Sequence, residues 1–589
     1  MFLPTTPEEI KRSGWDRLDI ILVTGDSYID SPYIGVAVVG KLLTRAGYRV
    51  GVIAQPDITL AIDITRLGEP RLFWGVTAGS TDSLVANYTS LKKPRRTDDY
   101  TPGGINNRRP DRATIAYTNL IRRNFKPTRP IVLGGIEASL RRIAHYDFWT
   151  NRVRRSILFD SKADYLLYGM AEKSVLALAE ALESGQDVRQ IRGLCYIAGN
   201  LGEIPERGKY LELPAYEAVH EDKEVFTSMF HTFYQNNDPL TARGLYQAHG
   251  PRYLVQNPPA PSLTPVEMDD IYSLDYERAQ HPYYEAQGQV QALETIRFAI
   301  PTHRGCYGEC NFCAISVHEG RTVQWRSPQS ILAEAGAIVA HPEFKGYILD
   351  VGGPTANMYG FECRKKLEAG ACRDKHCLFP AICPSLKPSH RTYLEVLEKI
   401  RRIPGVKKVF VASGIRYDLL FADEKYGEKY LEALVAHHVS GQLKIAPEHT
   451  ERHVLDIMGK PGREPLRRFK KQFDEQNRKT GLKQFLTYYL MAAHPGCTLK
   501  DMETLNKFAG TELKTWPEQV QIFLPAPSTY STLMYYREAD LFTGKPLFVE
   551  KDTAGKESQK AAVLKPKTRE TSHKRLGMRG RAKPWPKAL

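Results

Sequence analysis

The segment "THRGCYGECNFCAI", from Thr302 to Ile315, holds three of the nine cysteines in this 589-residue chain. Cys306, Cys310 and Cys313 follow the spacing Cys-x3-Cys-x2-Cys, directly after the apolar run "TIRFAI". A 4Fe–4S cube needs a further ligand on each iron, and cysteine thiolates normally supply these ligands. A loop with this spacing can bend three sulfurs onto three corners and leave the fourth iron open, as catalytic zinc sites keep one position open. The spacing therefore predicts a cluster that can bind a substrate.

Two other interpretations of the triplet are possible. A zinc ion would prefer a fourth protein ligand, which His303 or His318 could supply. The thiols could also be buried cysteines that bind no metal. The intervening residues favour a polar loop over a core segment; they include Gly305, Gly308, Glu309 and Asn311.

The chain around the triplet alternates between apolar runs and helical patterns. Over residues 291–550 the predicted strands are "TIRFAI", "GYILDVGG", "VKKVFVASG", "GQLKIAPEH", "KQFLTYYLMAAHPG" and "EQVQIFLPAPST". Helical stretches such as "HRTYLEVLEKIRRI" lie between them. Six strands with crossover helices predict a partial or full βα barrel, in which chemistry collects where strands end. The cysteine loop follows the first of these strands.

Residues 1–204 predict a separate α/β domain. Short apolar runs, "LDIILVTG", "YRVGVIAQPD", "RLFWGVTAGS", "PIVLGGIEAS" and "ADYLLYG", alternate with helical patterns such as "YIGVAVVGKLLTRAG". This alternation predicts a doubly wound parallel sheet. Residues 205–290 are less regular and rich in Pro and Tyr, so we expect a linker region that packs on both neighbours.

The cysteine motif resembles the signature of the radical SAM superfamily, Cys-x3-Cys-x-aromatic-Cys, with Phe312 as the aromatic residue. The resemblance implies a 4Fe–4S cluster whose open iron binds S-adenosylmethionine (SAM). It also implies that one electron breaks a sulfonium–carbon bond to give a 5′-deoxyadenosyl radical, which removes a hydrogen atom from a substrate. Phe312 would lie near the adenine or shield the cluster.

Further residues extend the resemblance towards SAM binding. Gly352 and Gly353, in "DVGGPT", match the glycine-rich motif for the methionine amino group, although such glycines are also ordinary turn chemistry. Glu448, in "KIAPEHTERH", is a candidate SAM contact, and its alternative role is that of an acid at a helix start. Ser413, which ends "VFVASG", could reach the ribose. No catalytic residue is assigned.

The stretches "TGDSYIDSPYIGVA", "GGIEASLRRIAHYDFW", "VQNPPA" and "GGPTANMYGFEC" resemble the YgiQ family, a branch of that superfamily with a cobalamin-binding-like N-terminal domain. Together these matches extend over residues 15 to about 550, and they imply the enzyme class but no reaction. The usual Asp-x-His-x-x-Gly motif for the lower cobalt ligand is absent, since "DSYIDSPYIG" has no histidine. We therefore do not expect cobalamin.

A second set of cysteines lies in an insertion over 354–388, after the glycine pair. The set comprises Cys363, Cys372, Cys377 and Cys383. Four thiolates could close an auxiliary 4Fe–4S cluster or a structural zinc site, and a loop of reduced or redox-active thiols is the alternative. Basic neighbours favour the thiolate form. Cys195 and Cys497 stand alone and are expected to be ordinary buried cysteines.

The net charge of +15 is concentrated at one end of the chain. Residues 551–589 hold 12 Lys and Arg against 3 Asp and Glu, so we expect a basic, disordered tail. A tail of this kind could contact nucleic acid, but we do not favour a nucleic-acid-binding protein with structural metal sites, because a structural site has no reason to leave a ligand position open.

The remaining predictions from the sequence concern the location of the protein and its function. No apolar run is long enough for a membrane span, no signal-peptide pattern is evident, and so we expect a cytoplasmic protein. The leading hypothesis is a radical SAM enzyme of unknown substrate that takes electrons from a flavodoxin- or ferredoxin-like donor. A cobalamin-dependent radical methyltransferase is the alternative within catalysis.

Overall fold

The computed structural model describes residues 1–373, 376–517 and 519–564. All twelve site residues predicted from the sequence lie within these ranges. No helix in these ranges is both long enough and apolar enough to cross a membrane.

One large sheet organises the N-terminal half. Within the described residues it has nine strands, which lie across the sheet in the order Tyr210–Leu213, Gly244–His249, Arg252–Gln256, Leu194–Ala198, Tyr165–Leu167, Ile131–Leu133, Phe73–Thr77, Ile20–Thr24 and Val50–Ala54. The last five are parallel, as the alternation predicts. The strands Ile20–Thr24 and Val50–Ala54 are buried at every position. Parallel strands covered on both faces need such continuous apolar runs.

The linker prediction for 205–290 is wrong over residues 210–256. Three strands there extend the same sheet, joined to it by an antiparallel pair between Arg252–Gln256 and Leu194–Ala198. Tyr210–Leu213 is the edge strand and Gly244–His249 lies next to it, and half-buried or exposed positions interrupt the buried ones in this pair. An edge strand of this kind has no continuous apolar run, so its pattern is weak in the sequence.

The second half forms the partial βα barrel of the predicted class. Its strands, in chain order, are Ala299–Pro301, Tyr347–Ile348, Asp350–Gly352, Lys408–Val409, Gln442–Glu448, Phe485–Ala492 and Gln521–Ile522. Ala299–Pro301 pairs in parallel with Asp350–Gly352, Tyr347–Ile348 with Lys408–Val409, and Phe485–Ala492 with both Gln442–Glu448 and Gln521–Ile522. A parallel bridge between Ile415 and Ile445 continues the wall, and His303–Arg304 and Gln324–Trp325 form a separate antiparallel pair. The carboxyl ends of these strands therefore face the same way and gather the loops that follow them.

Helices cover both units. In the first part of the chain they are Pro7–Arg12, Gly35–Arg45, Ile62–Thr65, Ser83–Asn87, Ala113–Asn124, Gly135–Leu140, Ile157–Ser161, Glu172–Ser184, Tyr216–Glu221, Lys223–Gln235, Pro265–Tyr272, Pro282–Glu285 and Leu293–Ile296. In the barrel they are Ile315–His318, Pro328–Val339, Arg364–Ala369, Arg391–Arg401, Tyr417–Ala422, Gly427–Ala433, Arg452–Met458, Arg463–Thr480, Leu499–Phe508, Tyr530–Arg537 and Thr553–Ala561.

The start of the basic tail is ordered, so the prediction of a disordered segment is wrong for 551–564. The helix Thr553–Ala561 carries Gln559, which is buried. Its side-chain amide donates to the Cys497 carbonyl at 3.0 Å and its oxygen accepts from the Ala493 N–H at 2.8 Å. These hydrogen bonds hold the helix Thr553–Ala561 against the segment that follows the barrel strand Phe485–Ala492. Residues 565–589 lie outside the described ranges.

A buried ion pair joins the two units. Arg304, in the cysteine loop, contacts Glu172 at the start of the helix Glu172–Ser184, and both side chains are buried. The Arg304 Nε also donates to the Tyr272 hydroxyl at 2.9 Å. A buried pair loses its hydration on folding, so each charge depends on the other for its compensation.

We expect the Arg304→Met variant to lose about 3–5 kcal/mol of stability, because it leaves the Glu172 carboxylate buried without a cation. Scanning calorimetry of the metal-free protein measures the change. Arg537→Met is the matched control, since Arg537 pairs with an exposed Glu224 and should contribute about 0–1 kcal/mol. Equal losses in the two variants would contradict the account of the interface.

Candidate functional site

The cysteine loop is fixed by contacts directly before the triplet and within it. Gly305 has φ +79°, and a Cβ there would lie 2.3 Å from the Thr322 carbonyl oxygen, so the position requires glycine. The side-chain amide of Asn311 donates to the Ile457 carbonyl at 2.8 Å, and its N–H donates to the Met458 carbonyl at 3.0 Å. The loop is therefore anchored to the helix that follows Glu448.

The three thiols of the triplet lie within electrostatic reach of one another. Burial raises the pKa of Cys306 to about 11, and the neighbouring Cys310 adds to the shift. Burial also raises the pKa of Cys313, again with Cys310 and Cys306 contributing. The Gly308 N–H points at the Cys306 sulfur from 3.4 Å. Cys306 and Cys313 therefore resist ionisation until a cation offsets their charge.

A cation does approach this group. Arg416 Nη1 lies 3.8 Å from the Cys310 sulfur. The same guanidinium is held by Asp418, with Nε to Oδ1 at 2.8 Å and Nη2 to Oδ2 at 2.5 Å. Burial opposes the charge of Arg416, but Asp418 and the nearby thiols raise its pKa above the usual value. Sequence reasoning missed Arg416, whose only signal is its place after the strand end that carries Ser413.

Within the described residues, no group of three or more His, Cys, Asp or Glu side chains is arranged so that it could hold a metal ion as it stands. The chemistry of the donors nevertheless fits an iron–sulfur cluster, because the three thiols interact electrostatically, a backbone N–H lies at the Cys306 sulfur and a buried guanidinium lies at the Cys310 sulfur. Hydrogen bonds to cluster sulfurs are among the means by which proteins tune such centres. Ligation by Cys306, Cys310 and Cys313 stays a prediction.

The glycine pair lies beside Ser413. A Cβ at Gly352 would lie 2.6 Å from the Ser413 Oγ, and one at Gly353 would lie 2.7 Å from the His303 ring. The hydroxyl of Ser413 donates to Asp350, which also accepts from the Ser413 and Ala412 N–H groups at 3.1 and 2.8 Å. Both glycines are therefore needed for close packing. Asp350 was not expected; its only signal is that it precedes the glycine motif in the strand.

Glu448 is a buried acid at the end of the strand Gln442–Glu448 that lacks a full set of hydrogen-bond partners within the described residues. It has φ +67°, which is strained for a residue with a side chain, and it is buried at a bulge in its strand. Its Oε2 has no hydrogen-bond partner within the described chain, while its Oε1 lies 4.0 Å from Lys460 Nζ. Burial raises its pKa to about 7, and Lys460 and Arg416 oppose the shift. A strained, unsatisfied group of this kind points to a ligand.

Phe312 makes an aromatic contact of its own. Its ring is partly buried and meets His494 edge-on, with 6.1 Å between the ring centroids. His494 in turn contacts the Ser531 hydroxyl at 2.7 Å. The structure thus brings the thiols together with Arg416, and the glycines together with Ser413, whereas Phe312 packs in a separate aromatic contact.

The second cysteine set packs against the loop of the first. Cys363 is buried in one small apolar cluster with Tyr307, and Cys306 and Cys377 pack on the same cluster. Lys366 Nζ lies 3.9 Å from the Cys377 sulfur, and the Cys383 N–H donates to the Cys377 carbonyl at 2.8 Å. Cys372 is half-buried. A metal site at these four cysteines stays a prediction.

Relatives of the chain share almost its whole length. Residues 2–299 match the Radical SAM N-terminal family. A UPF0313 protein from Fusobacterium nucleatum is 55% identical over 563 residues, 95% of this chain and 98% of that protein. Another from Thermotoga maritima is 48% identical over 96% of this chain and 98% of that protein.

This chain belongs to the UPF0313 family of radical SAM proteins.

The UPF0313 chain is therefore an enzyme of the radical SAM superfamily, as its cysteine motif predicts. Its fold also matches a solved structure, that of the radical SAM methyltransferase TsrM from Kitasatospora setae with cobalamin and a 4Fe–4S cluster bound. That match covers 87% of this chain and 76% of TsrM, with a TM-score of 0.50 and 16% identity. It supports the two-unit fold of the UPF0313 chain, a parallel-rich sheet followed by a partial barrel.

The raised pKa of Glu448 predicts a pH-dependent gain in the Glu448→Gln variant of the UPF0313 chain. An acid whose pKa is higher in the folded state stabilises the fold below its unfolded pKa, and this stability is lost as pH rises through the folded value of about 7. At about pH 8 the variant should exceed the natural protein by on the order of 3 kcal/mol, and at about pH 5 by much less.

Thermal unfolding across that pH range measures the difference. Glu428→Gln, at an exposed glutamate on the helix Gly427–Ala433, is the control and should show no such trend. A pH-independent difference for Glu448→Gln would refute the assignment of a buried, unpaired carboxylate.

Proposed function

We propose that this enzyme holds a 4Fe–4S cluster on Cys306, Cys310 and Cys313 and uses it to cleave SAM reductively. The observation that carries the proposal is the grouping of these three thiols at the carboxyl end of the first barrel strand, with the Arg416 guanidinium 3.8 Å from Cys310. When bound, such a cluster supplies the electron that breaks a sulfonium–carbon bond of SAM. These residues do not identify the substrate from which the radical removes a hydrogen atom.

The side chains around the thiols support this chemistry. Arg416 and the Gly308 N–H offer positive charge to the anionic sulfurs, which a cluster with three thiolates needs in a buried place. Asp418 fixes the orientation of the guanidinium. The cation therefore favours the thiolate form of the ligands, because an opposite charge nearby stabilises the ionised group.

The other predicted residues support SAM binding at the same edge. Gly352 and Gly353 allow the Ser413 and His303 side chains to pack closely at this strand end. Glu448 offers a buried carboxylate oxygen without a partner in the described chain, which a hydroxyl or amino group of SAM would satisfy. The ring of Phe312 would contact the bound SAM. An electron donor of the flavodoxin or ferredoxin type is part of the proposal, and nucleic acid is not.

We expect anaerobically reconstituted protein to form 5′-deoxyadenosine and methionine from SAM and dithionite. The Cys306→Ala/Cys310→Ala/Cys313→Ala variant should form none and should lose the SAM-responsive EPR signal of the reduced cluster. Cys195→Ala is the control, since that thiol is buried in the N-terminal sheet. Survival of the EPR response in the triple variant would rule out these ligands.

A second candidate function is that of a cobalamin-dependent radical methyltransferase. The solved TsrM structure holds cobalamin together with a 4Fe–4S cluster, and this chain has a cavity of about 480 Å³ between its N-terminal sheet and its barrel. The missing histidine motif therefore does not decide the question. The absorbance spectrum of anaerobically purified protein tests it, because bound cobalamin absorbs strongly in the visible range.

Metal analysis tests the second cysteine set. If Cys363, Cys372, Cys377 and Cys383 hold an auxiliary cluster, the reconstituted protein should carry about eight irons per chain, and with zinc there about four irons and one zinc. The quadruple Cys→Ala variant should return to about four irons while keeping the first site. Equal metal content in the two proteins would exclude a second site.

A further inference from the structure

The cavity between the sheet and the barrel lies next to the proposed cluster and shares only Gly353 with the predicted SAM contacts. Pro301, at the end of the first barrel strand, and Gly353 line it, and so does Ile315 just after the cysteine loop. Phe312, Ser413 and Glu448 are not among its lining residues. Its volume of about 480 Å³ lies in the ordinary range for small-molecule sites.

The walls of the cavity are mostly apolar. Side chains from the sheet and from two covering helices form them, namely Leu22, Phe73, Val132, Leu167, Val39 and Val175. Part of this wall lies between the carboxyl ends of the parallel strands and the helix Gly35–Arg45, where open α/β sheets bind their ligands. An apolar body of a ligand would be buried here.

Polar atoms without partners collect at the barrel side of the same cavity. Within the described residues, the Tyr33 hydroxyl, His303 Nε2, His318 Nδ1 and Glu172 Oε2 are buried and make no hydrogen bond. All four side chains line the cavity. His303 is only 2% exposed. Buried polar atoms are almost always hydrogen-bonded. Four buried polar atoms without partners around one cavity therefore indicate that a bound ligand supplies the missing hydrogen bonds.

These orphan groups are uncharged or already neutralised. Burial lowers the pKa of His303 and of His318 to about 4, so both rings are neutral near pH 7. Burial raises the pKa of Tyr33 well above its usual value. The carboxylate of Glu172 is compensated by Arg304. Among the charged residues that line the cavity, Arg304 is paired with Glu172 and Asp26 with Arg109, while Glu319 has no ion-pair partner within the described residues. The cavity therefore offers no free cation, and an anionic ligand would lose its hydration without compensation.

We infer that this cavity is the substrate site and that the substrate is a largely apolar small molecule that carries no anionic group and has hydrogen-bonding groups at one end. The inference rests on the proposed function, since it concerns the molecule on which that chemistry acts. The apolar body would lie between the sheet and the helix Gly35–Arg45. The polar end would contact Tyr33 and His303, next to the strand ends that carry the cysteine loop and Gly353. Cobalamin, whose rim carries many amide groups, suits so apolar a wall less well.

Calorimetric titration of the reconstituted protein in the presence of SAM tests the inference with two probes that share one ring system. We expect 2-naphthol, which is uncharged near neutral pH, to bind with one-to-one stoichiometry. Naphthalene-2-sulfonate, which carries a fixed charge, should bind at least about tenfold more weakly, because the cavity offers no free cation. Equal affinity for the two probes, or no saturable binding of 2-naphthol, would overturn the inference.

Variants locate the binding. Val39→Phe fills the cavity from the helix and should weaken 2-naphthol binding at least about tenfold, whereas Val225→Phe, on a helix away from the cavity, should not. Tyr33→Phe should weaken binding about fivefold. Tyr117→Phe is its matched control, since the Tyr117 hydroxyl is also a buried orphan but does not line the cavity. Unchanged affinity in Val39→Phe or in Tyr33→Phe would place the probe elsewhere and contradict the inference.

Two further measurements on the same samples separate the competing explanations. Stoichiometric binding of hydroxocobalamin that displaces 2-naphthol would assign the cavity to cobalamin and overturn the inference. Formation of 5′-deoxyadenosine is measured in parallel: if it persists while 2-naphthol fails to bind, only the substrate inference fails. If 2-naphthol binds as expected and no 5′-deoxyadenosine forms, the proposed function fails.

Discussion

Parallel pairing of the barrel strands is the constraint on which the candidate site depends. Because neighbouring strands run in one direction, the loops after Pro301, Gly352 and Glu448 open at the same edge. Residues separated by more than a hundred positions thereby come into contact, as Arg416 does with Cys310. An antiparallel arrangement of the same segments would put alternate loops at opposite ends and separate the thiols from their cation.

That edge contains several buried charges, which is costly for stability. Arg416 with Asp418, and Arg304 with Glu172, are ion pairs in which both partners are buried. A buried pair often contributes little net stability, because lost hydration offsets the attraction. Their retention beside the cysteine loop is explained if they orient groups for an anionic cluster. The nearest cation to Glu448 is Lys460, whose Nζ lies 4.0 Å from the carboxylate. The other carboxylate oxygen has no hydrogen-bond partner in the described chain, and a bound ligand would explain its burial.

Much of the fold could be predicted from the sequence because buried parallel strands leave continuous apolar runs. The strands of the first sheet from Ile20–Thr24 to Tyr165–Leu167 are of that kind. The strand Gly244–His249 was missed because half-buried positions interrupt its buried ones. The helix Thr553–Ala561 was missed because its basic composition suggested a solvated tail, while its contact through Gln559 depends on a distant strand end. Long-range contacts of that kind leave no local signal.

Only part of the candidate site could likewise be predicted from the sequence. The three cysteines could be found because their spacing carries the chemistry. Arg416 and Asp350 could not, since an arginine and an aspartate near strand ends are common, and only the packed barrel shows that they contact Cys310 and Ser413. His303 was considered from the sequence only as a zinc ligand. The cavity was equally hidden, because its walls come from the sheet and its polar atoms come from both units.

The central claim is that one iron of a cluster on Cys306, Cys310 and Cys313 is left open for SAM. Electron–nuclear double resonance of the reduced protein, with SAM isotope-labelled at its amino nitrogen, tests this directly. We predict a hyperfine coupling between the label and the cluster that disappears in the Cys310→Ala variant. A reduced cluster that binds SAM by titration but shows no coupling to the labelled nitrogen would contradict the account.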